Sequence, residues 1–248
     1  KPLEAAIADG DPIHAVIVNS AASHGGAAGS YTAVNPEALG RVLDAAIRAS
    51  NLEPGTINYL ELAANGSPMG DALEYGAAMS AAERLGAVAY PCAVGTVKSN
   101  IGHVEAASGI SQLAKVVLQL RHGQIAPTIH CDPPNPDLPP GSRFQIQREL
   151  AAWPAVVVGG RQMPRRAGIT SIGAGGSYAH LVVEEHVAPP APPADAGPHV
   201  LALSARTPGQ LRAVAERLAA WLRAPRAADL CVVAFTLRSG GEAFDQRL

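Results

Sequence analysis

Strand-like and helix-like segments alternate over residues 1–187, and this alternation limits the fold more than any other feature of the chain. The expected strands are apolar and rich in β-branched residues, whereas the expected helices carry apolar residues at helical spacing. Asn35-Pro36-Glu37, for example, places a capping residue, a first-turn proline and an acid in the order that begins a helix. The expected strands are 14–20, 57–62, 92–97, 168–172 and 179–185, and the expected helices begin at Asn35, Asp71 and His103. The alternation predicts a layered α/β fold.

Two of the expected helices have ends and faces that can be predicted in more detail. Asp71, with Glu74 three residues later, resembles a capping box, and Gly86 is placed to end that helix. The segment 103–122 is followed by Gly123 and carries apolar residues on several faces, so we expect this helix to be buried almost all round.

The composition of the chain changes after residue 187. Residues 188–198 contain five prolines and no large apolar side chain, which is typical of a linker. Beyond the linker we expect a strand at 199–203 and a helix that begins at Thr207-Pro208. The predicted division is 1–187 for a first domain, 188–198 for the linker and 199–248 for a small α/β subdomain. We expect the protein to continue beyond both ends of this sequence.

Composition and charge exclude several classes of protein. Hydrophobic residues make up 48% of the chain and charged residues 16%, which fits a folded protein with a substantial core. The net charge of −2 with no basic run argues against nucleic-acid binding, and no apolar run is long enough to span a membrane. Cys92, Cys131 and Cys231 are widely spaced and the histidines lack metal-ligand spacing, so we expect neither a disulfide framework nor a bound metal. A reducing cytoplasm is the expected location.

Three loops carry most of the functional information. Residues 60–71 read LELAANGSPMGD, residues 95–109 read GTVKSNIGHVEAASG, and residues 171–180 read SIGAGGSYAH. The second loop resembles the KSNIGHxEAASG motif of the ketosynthase domains of polyketide synthases, and the other two lie where that family has HGTGTPLGD and SFGAGGSNAH. Residues 24–36 resemble the variant found in ketosynthases that a free-standing acyltransferase serves, the trans-acyltransferase type. The resemblance covers essentially the whole chain, and the segment after the linker is similar to the flanking subdomain of those ketosynthases.

This resemblance implies a thiolase-like fold, of which the chain is the carboxy-terminal half. The family's nucleophilic cysteine lies on the amino-terminal half in an Ala-Cys-Ser-Ser context, which none of Cys92, Cys131 and Cys231 has. The resemblance also implies acyl carrier proteins as partners, with substrates arriving on their phosphopantetheine arms and no cofactor bound to the chain itself. The other implied partners are the amino-terminal half of the same ketosynthase and a second copy in a homodimer.

By the same resemblance, His103 stabilises an enolate. In a decarboxylative Claisen condensation two imidazoles donate hydrogen bonds to the thioester oxygen, and one donor of this kind typically contributes about 10²–10³ in rate. His103 follows Gly102, which permits a close approach, and precedes a helix whose amino end favours negative charge. We expect Lys98 to pair with Glu105 and to hold this loop.

The second imidazole position holds Ala63, whose methyl group cannot donate a hydrogen bond. Asn65 and Ser67 replace threonines that are expected to bond the pantetheine arm. Ile172 replaces the mobile phenylalanine of the gating loop, and Tyr178 replaces an asparagine. The substrate-binding residues that the resemblance implies are Asn65, Ser67, Ile172, Gly175 and Gly176.

These substitutions favour a ketosynthase-like enzyme that does not elongate. Such a domain takes an acyl chain from an upstream carrier protein onto its cysteine and passes it to the next carrier protein without adding carbon. This transfer needs an activated thiolate and backbone oxyanion donors, which the loss of an imidazole at Ala63 does not remove. Three alternatives stay open: an elongating ketosynthase, a ketosynthase adapted to an unusual bond such as a branch, and a non-catalytic dimerisation scaffold of the megasynthase.

Overall fold

A computed structural model describes residues 1–26, 30–138, 143–188, 198–224 and 229–248. The chain divides into two compact units, Lys1–Val187 and Ala188–Leu248. The helices of the first unit are α1 (Leu3–Ala8), α2 (Pro36–Ala49), α3 (Pro68–Leu85), α4 (Lys98–Ile101) and α5 (Ser108–His122). Its strands are β1 (Val16–His24), β2 (Ile57–Glu61), β3 (Val88–Gly95), β4 (Gln124–Ile125), β5 (Phe144–Ile146), β6 (Ala151–Ala152), β7 (Val157–Val158), β8 (Arg161–Gln162), β9 (Arg166–Gly173) and β10 (Ser177–Glu184). Residues 189–197 of the predicted linker lie outside the described residues.

One mixed sheet organises the first unit, with its strands in the order β1-β10-β9-β2-β3-β5. β2 is parallel to both β3 and β9, and β3 is parallel to β5. β10 runs antiparallel to β9 on one side and to β1 on the other. The carboxyl ends of β1, β2, β3 and β9 therefore lie at the same edge of the sheet, which is the edge where open α/β folds bind ligands.

The two faces of the sheet enter two separate hydrophobic cores. Leu60 and Val182 pack with the apolar residues of α2 and α3. Their neighbours Tyr59 and Val183 pack instead with Val116 and other residues of α5. Adjacent residues of a strand point to opposite faces, so β2 and β10 contribute to both cores. The result is a layered α/β/α arrangement, as the alternation of segments predicts.

Local chemistry sets several helix ends where the sequence predicts them. The Asn35 side chain accepts a hydrogen bond from the Ala38 backbone N–H at 3.1 Å and so begins α2. Gly86 ends α3 and Gly123 ends α5, each with a positive φ that glycine adopts at little cost. Thr207 caps the first helix of the second unit.

The predicted start of α3 at Asp71 is wrong by one turn. The helix begins at Pro68, because Ser67 and Pro68 supply a cap and a first-turn proline three residues earlier. The Ser67 hydroxyl accepts from the Gly70 N–H at 3.3 Å.

The predicted helix over 103–122 is also wrong in its first part and in its burial. Gly102 and Glu105 both have positive φ, which is incompatible with a continuous right-handed helix, so α4 is followed by a 3-10 turn (Glu105–Ala107) before α5 begins. The outer face of α5 is exposed, since Ile110 is 64% and Leu118 52% accessible. Within the described residues, the face of α5 that packs on the sheet is covered and its outer face is exposed.

Pairing partners shift the ends of several predicted strands. β1 runs on to His24, beyond the predicted end at residue 20, because β10 pairs with it as far as His24. β3 begins at Val88, where its pairing with Ile57 begins.

The second unit contains strands β11 (Ser204–Ala205) and β12 (Gln246–Arg247) and helices α6 (Pro208–Leu222) and α7 (Leu230–Ser239). The predicted strand at 199–203 is wrong, because β12 and Leu248 provide hydrogen-bonding partners only from Leu203 onwards.

Candidate functional site

Four segments come together at the carboxyl edge of the sheet, and hydrogen bonds join them. They lie at the carboxyl ends of β1, β2, β3 and β9, and they contain His24, Ala63, Lys98 and the glycine turn 173–176 respectively. Lys98 joins the β3 segment to the β2 segment, and Gly25 joins the β1 segment to the glycine turn. The three loops that carry the predicted site residues thus end at one edge because three parallel strands deliver them there.

Two carboxylates of α3 hold the loop after β2. The two oxygens of Glu74 accept hydrogen bonds from the backbone N–H groups of Ala63 at 2.7 Å and Ala64 at 2.8 Å. Asp71 accepts from the next two N–H groups, those of Asn65 at 3.0 Å and Gly66 at 3.1 Å. The predicted capping box is therefore wrong, since both acids stabilise the preceding loop. Four consecutive N–H groups of this loop are consequently occupied.

Glu74 is almost completely buried. Desolvation raises its pKa to about 7, and the Ala63 and Ala64 N–H groups oppose the shift because they favour the charged form. Burial likewise raises the pKa of Asp71 above its ordinary value. Both groups lie near the ammonium of Lys98.

The predicted pairing of Lys98 with Glu105 is wrong. The Lys98 ammonium donates to the backbone carbonyl of Ala63, whereas the Glu105 side chain is almost fully exposed. Three carboxylates, those of Glu74, Glu61 and Asp71, attract the ammonium towards the β2 loop. Burial lowers the pKa of Lys98, and these carboxylates oppose that shift. Lys98 therefore holds residue 63 in place, and Glu105 has no part in this contact.

His103 lies in the irregular stretch between α4 and α5 and is partly exposed. Its Nδ1 accepts a hydrogen bond from the Glu105 N–H at 2.9 Å. A neutral imidazole whose Nδ1 is an acceptor carries its proton on Nε2, so we assign that tautomer to His103. The backbone that makes this contact possible includes Gly102, whose φ of 81° is in the left-handed region. His103 can thus present one N–H donor to a ligand.

A buried ion pair lies beneath the loop after β3. The carboxylate of Glu61 accepts from the Lys115 ammonium at 2.8 Å, the Val97 N–H at 2.6 Å and the Tyr59 hydroxyl at 2.5 Å. Glu61 is fully buried and Lys115 nearly so. Burial and the charge of Glu61 raise the pKa of Tyr59 well above its ordinary value. This cluster fixes Val97, the residue immediately before Lys98 in the segment that also carries His103.

Gln112 supplies a second connection from α5 to the sheet edge. Its buried amide donates to the carbonyl of Leu62 at 3.0 Å and to that of Thr170 at 2.8 Å. Gln112 and Lys115 are three residues apart and so lie on one face of α5. That face therefore ties together the ends of β2 and β9.

The sequence reasoning missed Glu61, Lys115 and Gln112. A signal exists for Glu61 and Lys115, because a glutamate inside an apolar strand and a lysine inside an apolar helix are rarely buried unless they are paired. Lys115 is also one of only three lysines in the chain.

The glycine turn 173–176 is held on two sides. Gly175 donates its N–H to the Tyr31 carbonyl at 2.7 Å, and the Gly176 carbonyl accepts from the Gly25 N–H at 2.7 Å. Ile172 is partly buried against the core that α2 and α3 form. Asn65 and Ser67 are exposed, and the Asn65 side chain accepts from the Ser67 N–H at 3.0 Å. The structure therefore places all the predicted substrate-binding residues at this edge, in two separate loops.

A cavity of 480 Å³ lies beside the β2 loop. Its apolar wall includes Leu62, Val94 and Ile146, and its polar wall includes Lys98 and Asp71. The cavity lies at the same sheet edge as Ala63.

Cys92, Cys131 and His180 are buried or hydrogen-bonded within the chain. Burial raises the pKa of Cys92, and the Cys131 thiol donates to the Thr128 carbonyl at 3.0 Å. His180 is fully buried with its Nδ1 3.0 Å from the Thr170 hydroxyl, and burial lowers its pKa to about 4. Among the described residues, no three His, Cys, Asp or Glu side chains are grouped so that they could hold a metal ion.

Comparison with protein families gives two matches that together cover most of the chain. Residues 14–132 match the beta-ketoacyl synthase C-terminal domain. Residues 134–245 match the ketoacyl-synthetase C-terminal extension.

Curated relatives and solved structures agree with the family matches. The chain is 45% identical to polyketide synthase ThaQ of Burkholderia thailandensis and 40% identical to polyketide synthase PksM of Bacillus subtilis, in each case over its whole length. It spans only 12% and 6% of those two proteins.

Among solved structures, the oxazolomycin ketosynthase domain OzmH KS7 of Streptomyces albus superposes with a TM-score of 0.84 at 40% identity, and the chain covers 43% of it. Ketosynthase twelve of the bacillaene polyketide synthase from Bacillus amyloliquefaciens gives a TM-score of 0.80 at 31% identity, with 42% of that chain covered. In the described part of this chain, no helix combines the length and the apolar character that a membrane span requires.

Proposed function

The chain belongs to the beta-ketoacyl synthase family as the carboxy-terminal half of a thiolase-like ketosynthase domain of a polyketide synthase, and we propose that this domain transfers acyl chains without elongating them. The acyl chain arrives on the phosphopantetheine arm of one acyl carrier protein. It is held on the cysteine of the amino-terminal half, and it leaves on the next carrier protein with no carbon added. The enzyme is thus an acyltransferase, of the trans-acyltransferase type of synthase.

The single observation that carries this proposal is the state of residue 63. Its side chain is a buried methyl group with 6% exposure. Its N–H donates to Glu74, and its carbonyl accepts from Lys98. Neither the side chain nor the backbone of Ala63 is therefore available to donate a hydrogen bond to a thioester oxygen. The neighbouring N–H of Ala64 is occupied by Glu74 as well.

Decarboxylation requires two imidazole donors, and His103 then supplies one of them while Ala63 supplies none. Loss of the partner donor costs about 10²–10³ in the rate of a step that develops an oxyanion. Transfer of an acyl group to and from a thiolate does not pass through a malonyl enolate, so it is spared. We assign Lys98 the role of positioning residue 63, and Asn65, Ser67, Ile172, Gly175 and Gly176 the role of binding the arm and the acyl chain.

The remaining parts of the proposal concern organisation and partners. We assign residues 1–187 to the ketosynthase half, 188–198 to the linker and 199–248 to the flanking subdomain. The partners are acyl carrier proteins, the amino-terminal half of the domain and a second copy in a homodimer. No cofactor is bound, and the synthase works in the cytoplasm.

The test uses the complete ketosynthase domain with acyl and malonyl carrier proteins. Intact-protein mass spectrometry follows the acyl adduct on the cysteine and its transfer to a second carrier protein, and labelled malonyl carrier protein reports condensation. We expect a transferable adduct with no labelled carbon in the product. The matched control replaces the cysteine of the amino-terminal half by alanine, which abolishes the adduct. Labelled carbon in the product would instead identify an elongating or branching enzyme, and the absence of any adduct would identify a scaffold.

A further inference from the structure

Tyr178 occupies a buried position next to the glycine turn. It is the second residue of β10, and its ring is only 2% exposed. Its hydroxyl oxygen accepts the backbone N–H of Asn35 at 2.7 Å. The ring has room there only because residue 25 is a glycine, since a β-carbon at that residue would lie 2.7 Å from the Tyr178 hydroxyl oxygen. Tyr178 thus connects the strand that leaves the turn to the residue that begins α2.

Asn35 extends this connection in two further directions. Its side-chain oxygen caps α2 at the Ala38 N–H, while its side-chain amide donates to the Gly25 carbonyl at 2.7 Å. Each polar group of the Asn35 side chain therefore has a partner, and the residue is held by the helix, by Gly25 and by Tyr178.

Gly25 completes a closed ring of hydrogen bonds. Its N–H donates to the Gly176 carbonyl at 2.7 Å, and Gly176 is two residues before Tyr178. The connections run from Tyr178 to Asn35, from Asn35 to Gly25, from Gly25 to Gly176 and back along the chain to Tyr178. We name these four residues the Tyr178 network.

The surroundings of the turn leave little room for a side chain at residue 175 or residue 176. A β-carbon at residue 175 would lie 3.1 Å from the Tyr31 ring, and one at residue 176 would lie 3.2 Å from the His24 imidazole. Gly175 and Gly176 have φ values of 84° and 92°, which other residues rarely adopt. Gly175 and Gly176 thus lie against aromatic rings, and backbone hydrogen bonds join them to Tyr31 and Gly25.

We propose that Tyr178 and Asn35 are positioning residues that hold the glycine turn 173–176 in one conformation, fixed to the amino end of α2, during acyl transfer. This inference rests on the proposed function, since it takes the turn to be part of the acyl-binding site. An asparagine at position 178 ends much closer to the backbone and cannot carry an acceptor to the place of the phenol oxygen. The fixed turn is therefore a property that the tyrosine confers on this chain.

The first experiment measures hydrogen exchange of the Gly25 and Gly175 amides in the complete domain, for the parent and for Tyr178→Phe. The variant removes one hydroxyl and keeps the packing of the ring. We expect exchange at both amides to rise about three- to tenfold, which corresponds to the loss of one hydrogen bond. Tyr75→Phe is the matched control, because it removes another buried hydroxyl, which donates to the Phe144 carbonyl, away from the turn. Equal exchange in the parent and in Tyr178→Phe would overturn the proposal.

A second variant removes another hydrogen bond of the Tyr178 network and covers the case in which Tyr178→Phe fails to fold. Asn35→Asp keeps the oxygen that caps α2 and replaces the amide that donates to Gly25 by an acceptor. We expect the same rise in exchange at Gly175, and an unchanged rate there would again overturn the proposal.

Kinetics distinguish positioning from general stability. In Tyr178→Phe the turn must become ordered when the acyl arm binds. We therefore expect KM for the acyl carrier protein to rise and kcat to change little. A merely structural role would reduce the active fraction, lowering kcat at constant KM, and that result would contradict the positioning role. If the parent shows no acyl transfer at all, the proposed function fails. Hydrogen exchange still decides whether the Tyr178 network holds the turn.

Discussion

Residue 63 keeps its backbone contacts although its side chain lacks the chemistry of condensation. Glu74 and Lys98 hold its N–H and its carbonyl, while the methyl group is packed among its neighbours. Ala63→His should therefore leave decarboxylation near background. A large side chain in a packed site costs about 1–3 kcal/mol, and a misplacement of about 1 Å by the residues that we propose bind the arm costs on the order of 10²-fold in rate.

The measurement for Ala63→His is carbon dioxide release from malonyl carrier protein by the complete, acylated domain. Acyl transfer, followed by mass spectrometry, should remain intact in the same variant. Ala64→His, with the same imidazole one residue further on, is the matched control for the bulk of the added group. A rate equal to that of an elongating homologue would show that Ala63 is the sole defect.

Glu74 gives a prediction about pH at the same scale. Its pKa is raised from 4.5 to about 7 in the folded protein, so the unfolded chain releases this proton at lower pH than the folded one. Stability attributable to Glu74 therefore falls as the pH rises from about 4.5 to about 7. Relative to Glu74→Gln, the free energy of unfolding of the parent should decrease across this window by an amount on the order of 3 kcal/mol.

Urea unfolding of the complete domain at several pH values measures this difference. Glu83→Gln is the matched control, because Glu83 is an exposed acid on the same helix. Its unfolding free energy should follow the parent at a constant offset. The explanation fails if Glu74→Gln follows the parent in the same way.

At the scale of elements, α5 is joined to β2 by a buried ion pair whose partners depend on each other. Lys115→Met leaves the carboxylate of Glu61 buried without its cation, which typically costs about 3–5 kcal/mol. The double variant Glu61→Gln/Lys115→Met removes both charges. We expect it to be more stable than Lys115→Met alone, and unfolding titrations of the four proteins in this cycle give the coupling energy.

An exposed ion pair provides the control for that cycle. Arg84 of α3 binds Asp44 of α2 at 2.9 Å, with the guanidinium half-exposed. Surface pairs typically contribute about 0.2–1 kcal/mol, so the corresponding cycle should show little coupling. Equal coupling energies in the two cycles would refute the importance that we assign to burial of the Glu61–Lys115 pair.

The elements also show which parts of the structure can be predicted from sequence. The start of α2 and the ends of α3 and α5 follow from caps within a few residues, so local chemistry is sufficient. The partner of Lys98 cannot be predicted in this way, because the Ala63 carbonyl is brought to it only when β2 and β3 pair. The predicted strand at 199–203 fails for the same reason, since its partner lies more than forty residues away along the chain.

The same distinction between local sequence signals and contacts of distant segments applies to the candidate site. The motif loops identify His103, Ala63 and the glycine turn, and their common edge follows from the parallel order of the strands. The Tyr178 network and the Glu61 cluster depend on contacts that α2 and α5 make with the sheet. No local pattern predicts which polar group faces which, so only the folded chain shows these connections.

At the scale of the whole molecule, the outer face of α5 is the largest departure from the predicted burial. Ile110 and Leu118 are more than half exposed, as is Ile101 on the neighbouring α4, and a groove of 510 Å³ lies between α4, α5 and Leu150. Large exposed apolar patches are typical of interfaces. The 248-residue chain expressed alone should therefore aggregate or bind hydrophobic dyes, as size-exclusion chromatography and dye fluorescence would show.

Substitution of this face distinguishes an interface from an ordinary surface. Ile110→Glu/Leu118→Glu should make the isolated chain more soluble, because it replaces exposed apolar groups by charges. In the complete domain the same double variant should lower the melting temperature or prevent folding, because the amino-terminal half would bury those charges without partners. Val157→Glu, at an exposed valine of β7, should change neither measurement. A complete domain that tolerates the double variant, or an isolated parent chain that melts cooperatively as a monomer, would mean that α5 faces solvent in the whole protein too.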